Sequence, residues 1–152
     1  MRYFEDLKID ESWISPPRTL SREEMLEFAR RYDPQYFHTD ERAARDSIFG
    51  EVIASGIFTM AVWRQLDHQI AGDIRWICGI AWDEVRWPLA VRAGDTLRAR
   101  STVLSKRESG SDPQRGIVVT RYELMNQNDR IVWCAKSTNL IERRNSAYMG
   151  LD

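Results

Sequence analysis

The sequence lacks several features that would assign it to a class at once. No apolar run approaches the roughly 18 residues that a membrane-spanning helix needs, so we predict no membrane span. The first thirteen residues contain acids and no apolar segment, which is not typical of a secretory signal and favours a cytoplasmic location. Repeats, low-complexity segments and Gly/Ser linkers are also missing. The 152 residues are therefore expected to form one domain, 1–152.

The sequence also has no large excess of charge of one sign and no metal-ligand pattern. Lys+Arg number 22 against 23 Asp+Glu, a net charge of -1, which gives no bulk attraction to nucleic acid or to an anionic membrane. The two cysteines, Cys78 and Cys134, lie in apolar stretches and are predicted to be free, buried thiols. Two cysteines and two histidines, none at ligand spacing, predict no metal site.

Residues 1–72 carry helical signals. Ser21 and Glu24 have the spacing of a capping box, and apolar residues recur after them at helical intervals until Asp33-Pro34, where a helix should end. Similar start and stop signals follow, ending at Gly72. Together they predict three helices, at 21–31, 39–46 and 55–71.

Residues 74–143 change to a period of two and are rich in Val, Ile, Trp, Tyr and Thr. They predict four long strands at 74–86, 96–107, 116–126 and 130–142, and a short edge strand is predicted earlier, at 3–9. The last two separators have the composition of hairpin turns. An antiparallel sheet of this size needs one face covered, and 55–71 is the most apolar helix. We therefore predict an α+β domain whose antiparallel sheet wraps around one long central helix.

Two groups of residues could carry chemistry. Asp33 and His38 lie five residues apart between two predicted helices, and a carboxylate with an imidazole can share one water and move its protons. From the residues alone, such a pair is more often a structural hydrogen bond or a cap than a catalytic pair. Ser55-Gly56 opens the long helix, where free N–H groups can hold an oxyanion and glycine lets a ligand approach. The alternative is a serine cap followed by a packing glycine.

These residues fall within a wider pattern. The run from Phe28 to Ala44 contains Asp33-Pro34-Gln35-Tyr36-Phe37-His38, and the run from Phe49 to Gly56 ends in Ile-Ala-Ser-Gly. Both resemble the signature of the MaoC-like family, which contains the (R)-specific enoyl-CoA hydratases. Trp87 to Leu97 resembles the family's turn before a strand, and Tyr3 to Leu7 resembles its opening strand.

The resemblance implies a hotdog fold and a homodimer or a dimer of dimers. It implies that Asp33 and His38 activate the water that adds to a 2-enoyl-CoA, and that the N–H of Gly56, with Ser55 beside it, meets the thioester carbonyl. Gln35 stands where the family has asparagine and is expected to replace it as a hydrogen-bonding residue. Arg64 stands near the place of a serine that some hydratases carry. The acyl-CoA is then the substrate, with no cofactor or metal.

Two other functions stay open at this point. A hotdog thioesterase would use an acid on the central helix, and Asp67 is the only one inside it. A non-catalytic subunit that binds acyl-CoA would have no need of Asp33 or His38. Candidates for the CoA phosphates are Arg107, Arg115, Arg143 and Arg144, and the residues that could either narrow the acyl pocket or fill the core are Tyr36, Phe37, Trp63 and Trp82.

Overall fold

The structure, a computed structural model, describes residues 1–144. Residues 145–152, the end of the predicted domain 1–152, lie outside the described residues. The α-helices are α1 (Arg22–Tyr32), α2 (Tyr36–Thr39), α3 (Glu41–Arg45) and α4 (Gly56–Ala71). The strands are β1 (Ser12–Ile14), β2 (Arg18–Thr19), β3 (Trp76–Arg86), β4 (Thr96–Glu108), β5 (Arg115–Met125) and β6 (Ile131–Glu142).

The helices begin and end at the predicted signals. Ser21 Oγ accepts a hydrogen bond from the N–H of Glu24 at 3.2 Å, and Asp33 caps the C-terminus of α1. Asp40 Oδ1 accepts from two N–H groups at the start of α3, and Gly72 caps α4. The short helix α2 was not predicted. It forms because Pro34 ends α1 and the chain then makes one further turn before Asp40.

The six strands form an antiparallel sheet in the order β1-β4-β5-β6-β3, with β2 also paired to β4. The four long strands match their predicted ranges to within two residues, and the two predicted hairpins join β4 to β5 and β5 to β6. β3 pairs with β6 instead of β4, so residues 87–95 cross from one edge of the sheet to the other side. β3 is the outermost long strand and is exposed on both faces.

The core lies between α4 and the concave face of the sheet. One face of α4 buries Val62, Trp63 and Leu66 against residues of the three central strands, among them Leu124 and Trp133. Inward and outward residues alternate along β6, as expected for a strand with one covered face. The predicted α+β architecture, an antiparallel sheet around one long helix, is confirmed.

Two local predictions are wrong. The edge strand predicted at 3–9 is a 3-10 turn, Phe4–Asp6, because Asp6 Oδ2 accepts from the N–H of Tyr3 at 2.8 Å and Phe4 turns into the core. Both cysteines are free, as predicted, but Cys78 is exposed on β3 and Cys134 is half-buried. Cys78 lies on the edge strand β3, which leaves both faces uncovered, whereas Cys134 lies on β6 between the buried residues Trp133 and Ala135. Within residues 1–144, no helix combines the length and the apolar character that a membrane crossing needs.

Candidate active site

Asp33 and His38 come together at the junction of α1 and α2. Asp33 is the C-terminal cap of α1, and His38 is buried in the single turn of α2. The turn reverses the chain, so that Nε2 of His38 lies 3.5 Å from Oδ2 of Asp33. The spacing of five residues, which suggested the pair, works because Pro34 prevents α1 from continuing.

The tautomer of His38 follows from its second nitrogen. Nδ1 lies 2.8 Å from the carbonyl oxygen of Ile53, and a carbonyl only accepts, so Nδ1 carries a proton. In the neutral imidazole, Nε2 then presents a lone pair toward the Asp33 carboxylate. Nε2 of His38 and Oδ2 of Asp33 are then both hydrogen-bond acceptors. A molecule that donates to both, such as water, stabilises this arrangement, and so does a second proton on the imidazole.

Asp33 is held as a carboxylate. Gln35 Nε2 donates to Oδ1 at 2.9 Å, and Ser55 Oγ donates to Oδ2 at 2.7 Å. These hydrogen bonds, first from Gln35 and then from Ser55, lower the pKa of Asp33 against the opposing effect of burial, and the charge of His38 lowers it further. The group is therefore ionised at neutral pH and supplies a fixed negative charge beside Nε2 of His38.

Ser55 joins the start of α4 to the Asp33 carboxylate. Its side chain is fully buried; the hydroxyl accepts from the N–H of Ile57 at 3.2 Å and donates its proton to Asp33. The sequence suggested Ser55 as part of the thioester-binding group or as a simple cap. It is a cap, and its proton already has an acceptor in Asp33, 22 residues earlier in the chain.

Gly56 lies beside a cavity of about 230 Å³, which we call the helix-start cavity. His38, Thr59 and Trp87 are among its other lining residues. As the first residue of α4, Gly56 has an N–H with no acceptor inside the helix, and none of residues 1–144 supplies one. His38 and the Gly56 N–H are thus adjacent to one small cavity.

Trp87 is the residue at this site that the sequence did not single out for a role. Its Nε1 donates to the carbonyl oxygen of Gly56 at 3.1 Å, and the indole is 48% exposed. A Cβ at Gly56 would lie 2.9 Å from that Nε1, so only glycine allows this close approach. The one signal in the sequence was the position of Trp87 just after a strand, next to Pro88.

Most of the remaining candidates lie elsewhere. Arg143 and Arg144 form ion pairs with acids around the turn at Phe4, near the C-terminal end of α4, and Arg115 pairs with Asp112. Trp63 is buried in the core, where Trp82 packs against its edge. Among residues 1–144, no group of three or more His, Cys, Asp or Glu side chains is placed to hold a metal ion.

Comparison with known proteins identifies the family of the chain. The MaoC like domain matches residues 7–126 of the chain. The chain belongs to the MaoC-like family. Protein MaoC from Klebsiella aerogenes is 33% identical over 106 residues, which are 69% of this chain and 31% of that protein. The 3-hydroxyacyl-thioester dehydratase Z of Mycobacterium tuberculosis is 29% identical over 109 residues, covering 70% of this chain and 72% of that protein.

Solved structures share the fold of this chain. A MaoC-like dehydratase from Rhodospirillum rubrum superposes with a TM-score of 0.90 at 32% identity, covering 96% of this chain and all of the other. RV0216 from Mycobacterium tuberculosis, described as a double hotdog fold, has a TM-score of 0.73 at 18% identity, covering 95% of this chain and 45% of that one. The chain is therefore a MaoC-like protein with a hotdog fold, as the resemblance implied, and its relatives support hydratase or dehydratase chemistry in general.

Proposed function

We propose that this MaoC-like protein is a hydro-lyase that adds water to C3 of a 2-enoyl-CoA, or removes it from a 3-hydroxyacyl-CoA. The observation that carries the proposal is the position of His38. Its Nε2 lies 3.5 Å from the Asp33 carboxylate, and His38 lines the same cavity as Gly56, whose N–H has no acceptor among residues 1–144. Acid–base and oxyanion-binding groups thus meet at one small cavity.

In the hydration direction, the thioester oxygen accepts the Gly56 N–H and the water donates to Asp33 and to Nε2 of His38. The water oxygen bonds to C3 while its proton moves to Nε2, and the C2–C3 π electrons move toward the carbonyl to give an enolate. The Asp33 charge and the Ile53 carbonyl stabilise the imidazolium. Nε2 then delivers the proton to C2, which balances the addition. No metal or cofactor takes part in this scheme.

Gly56 contributes most when negative charge develops on the thioester oxygen. Its N–H lies in the first turn of α4, where the helix dipole adds positive potential. An interaction that strengthens from ground state to transition state raises the rate, and not only the affinity. A backbone donor of this type contributes about 10²–10³-fold in related acyl chemistry.

A homodimer is part of the proposal. β3 has no strand paired to its outer edge among the described residues, and it exposes Ile80 and Trp82. An uncovered edge with apolar side chains favours pairing with another copy of the chain. Sedimentation at micromolar concentration should give a dimer or a dimer of dimers, whereas an active, stable monomer would contradict this. A cytoplasmic location stays a prediction from the sequence.

The thioesterase alternative is less favoured by the surroundings of Asp67. The side chain is 0% exposed, with Oδ1 accepting from Ser101 at 2.5 Å and Oδ2 from Arg64 at 3.0 Å. Burial raises the pKa of this carboxyl, partly offset by the hydrogen bond from Ser101 and the charge of Arg64. An acid whose two oxygens are occupied inside the core is poorly placed to attack a thioester or to activate water.

The direct test is incubation with crotonyl-CoA and, separately, with butyryl-CoA. Hydration predicts loss of the enoyl absorbance of crotonyl-CoA with no release of free thiol from either compound. The matched control is the double variant Asp33→Asn, His38→Gln, checked for retention of the folded dimer. Thiol release from butyryl-CoA would replace the proposal by hydrolysis. Retention of full hydration by the double variant would refute the assigned mechanism.

A further inference from the structure

A second cavity, of about 260 Å³, lies farther along α4 and has no role in the chemistry described above. We call it the aromatic cavity. It lies between α4 and the sheet, beside the exposed edge strand β3. The lining residues that matter for its chemistry are Trp63, Arg64, Gly79, Trp82, Tyr122 and Asn139.

The aromatic cavity lies in line with the helix-start cavity. Trp63 follows Gly56 by seven residues, which places it on the same face of α4, about 10 Å farther along its axis, and Arg64 is the next residue. β3 forms the opposite wall and runs back along the helix: Trp82 packs on Trp63 at a ring-centroid distance of 5.4 Å, and Trp87 bonds to Gly56.

Met60 lies between the two cavities on the helix. It is half-buried, and it follows Gly56 by one turn and precedes Arg64 by another. Methionine is unbranched and adapts its shape easily, so its side chain can change rotamer to admit a ligand. A thioester whose carbonyl oxygen is held by Gly56 can therefore extend its acyl chain past Met60 toward the aromatic cavity.

The far end of this path is polar, which a site for a plain hydrocarbon chain would not need. Arg64 carries five N–H donors, of which one bonds Asp67 and none of the others bonds a residue in 1–144. Ser101 bonds Asp67, and Asp67 in turn fixes the guanidinium of Arg64 on its buried side. The Arg64 side chain is 49% exposed. Asn139 and the Tyr122 hydroxyl, 3.4 Å apart, add further hydrogen-bonding groups to the wall.

We propose that the aromatic cavity binds the far end of the acyl chain and selects chains that end in an oxygen-bearing group, a carboxylate or a hydroxyl. This inference rests on the proposed thioester chemistry and assigns its substrate class. The aromatic rings contact the methylene stem, and the unused N–H groups of Arg64 donate to the terminal oxygen. A methyl end would remove these polar groups from water without replacing their hydrogen bonds, and such a mismatch costs affinity.

The test measures binding of saturated thioesters by calorimetry, so that turnover is not needed. Octanoyl-CoA, ω-hydroxyoctanoyl-CoA and suberoyl-CoA have the same chain length and differ only at the far end, and butyryl-CoA is too short to reach the aromatic cavity. We expect at least one of the oxygen-bearing chains to bind about tenfold or more tighter than octanoyl-CoA.

Two variants of Arg64 test whether this residue selects the oxygen-bearing chain ends. Arg64→Met should reduce the ratio of suberoyl-CoA to octanoyl-CoA affinity by about tenfold, whereas Gln65→Met, an exposed neighbour on the same helix, should leave that ratio as in the wild type. Since Arg64→Met leaves Asp67 buried without its cation, Arg64→Lys serves as a second variant that keeps the charge. It should give an intermediate ratio, because ammonium lacks the planar fork of guanidinium.

A third variant tests occupancy. Gly79→Val adds side-chain volume from β3 toward Asn139, whose Oδ1 would lie 3.3 Å from the new Cβ, and it should weaken every long-chain thioester relative to butyryl-CoA. If the wild-type protein binds octanoyl-CoA as tightly as both ω-hydroxyoctanoyl-CoA and suberoyl-CoA, or more tightly, this inference is overturned and the proposed function is not affected. Failure of all four thioesters to bind would instead overturn the proposed function.

Discussion

The two ends of α4 differ in almost every physical respect. At the N-terminal end, the ionised Asp33 carboxylate lies beside the buried imidazole of His38, which lines a cavity together with Gly56 and the exposed Trp87. At the C-terminal end, Phe4, Leu7, Ala71, Ile74, Val103, Val118 and Ile141 form a closed apolar cluster. Changes at the first end should therefore alter activity more than stability, and changes at the second should do the reverse.

The largest expected effect comes from the acid–base pair. Asp33→Asn and His38→Gln should each lower kcat by at least ~10²-fold, because each removes a charge or a proton acceptor next to the reacting water. Steady-state hydration of crotonyl-CoA and sedimentation of each variant measure the two sides of the comparison. Near wild-type turnover by either folded variant would remove the basis for the contrast between the two ends.

The next effect concerns the approach to the Gly56 N–H. Gly56→Val should lower kcat/KM more than ~10²-fold, about 2.7 kcal/mol of transition-state stabilisation, with Gly56→Ala intermediate. Part of the cause is Trp87, whose indole lies 2.9 Å from the new Cβ and must shift. The control is Trp87→Ala in the Gly56→Val background. Full recovery of activity there would mean that the indole, and not blockage of the thioester, caused the loss.

The closed end should respond in the opposite way. Ile141→Val removes one methylene from a side chain that is 0% exposed within the apolar cluster. We expect a loss of about 0.5–1.5 kcal/mol in the free energy of unfolding, measured by urea denaturation, with kcat for hydration within twofold of wild type, roughly the scatter of such comparisons. A large fall in kcat without loss of stability would show that the two ends are coupled.

The smallest effect is on the pH dependence of stability. Because hydrogen bonds from Gln35 and Ser55 lower the pKa of Asp33 in the folded state, its carboxylate stabilises the fold above the ordinary carboxyl value of 3.8, and this contribution is lost as pH falls toward the lower folded value. The difference in unfolding free energy between wild type and Asp33→Asn should therefore shrink between pH 6 and pH 3, roughly the range in which a carboxyl titrates. A difference that stays constant with pH would contradict the hydrogen-bonded carboxylate.

How much the sequence could predict depended on whether the signal was local. The period of two over 74–143 and the cap at Ser21 are local patterns, and the strands and α1 lie where they indicated. The partner of β3 is not local: turn composition predicts the hairpins that join β4 to β5 and β5 to β6, but it does not indicate that β3 pairs with β6. The edge strand predicted at 3–9 failed for the same reason, since burial of Phe4 determines the turn there.

The candidate site likewise combines residues that local sequence signals indicate with contacts that they do not. Asp33, His38 and Gly56 could be identified as candidates because their spacing and their family resemblance lie within short runs of sequence. The hydrogen bond from Ser55 to Asp33 spans 22 residues, and the cover of Trp87 over Gly56 spans 31. No periodicity or capping rule indicates contacts of this range, because they arise only when α4 packs against both the α1–α2 junction and the end of β3.

The Ser55 hydroxyl has a consequence for the energetics of the proposed reaction. Since one oxygen atom caps the first turn of α4 and also bonds the Asp33 carboxylate, the proposed oxyanion donor at Gly56 and the charge beside His38 are fixed relative to each other before any substrate arrives. Dipoles and charges that are already oriented do not have to rearrange as the reaction proceeds, so their stabilisation of the enolate carries little reorganisation energy. The cap at Ser55 therefore holds these dipoles and charges in the orientation that the charge distribution of the proposed enolate requires.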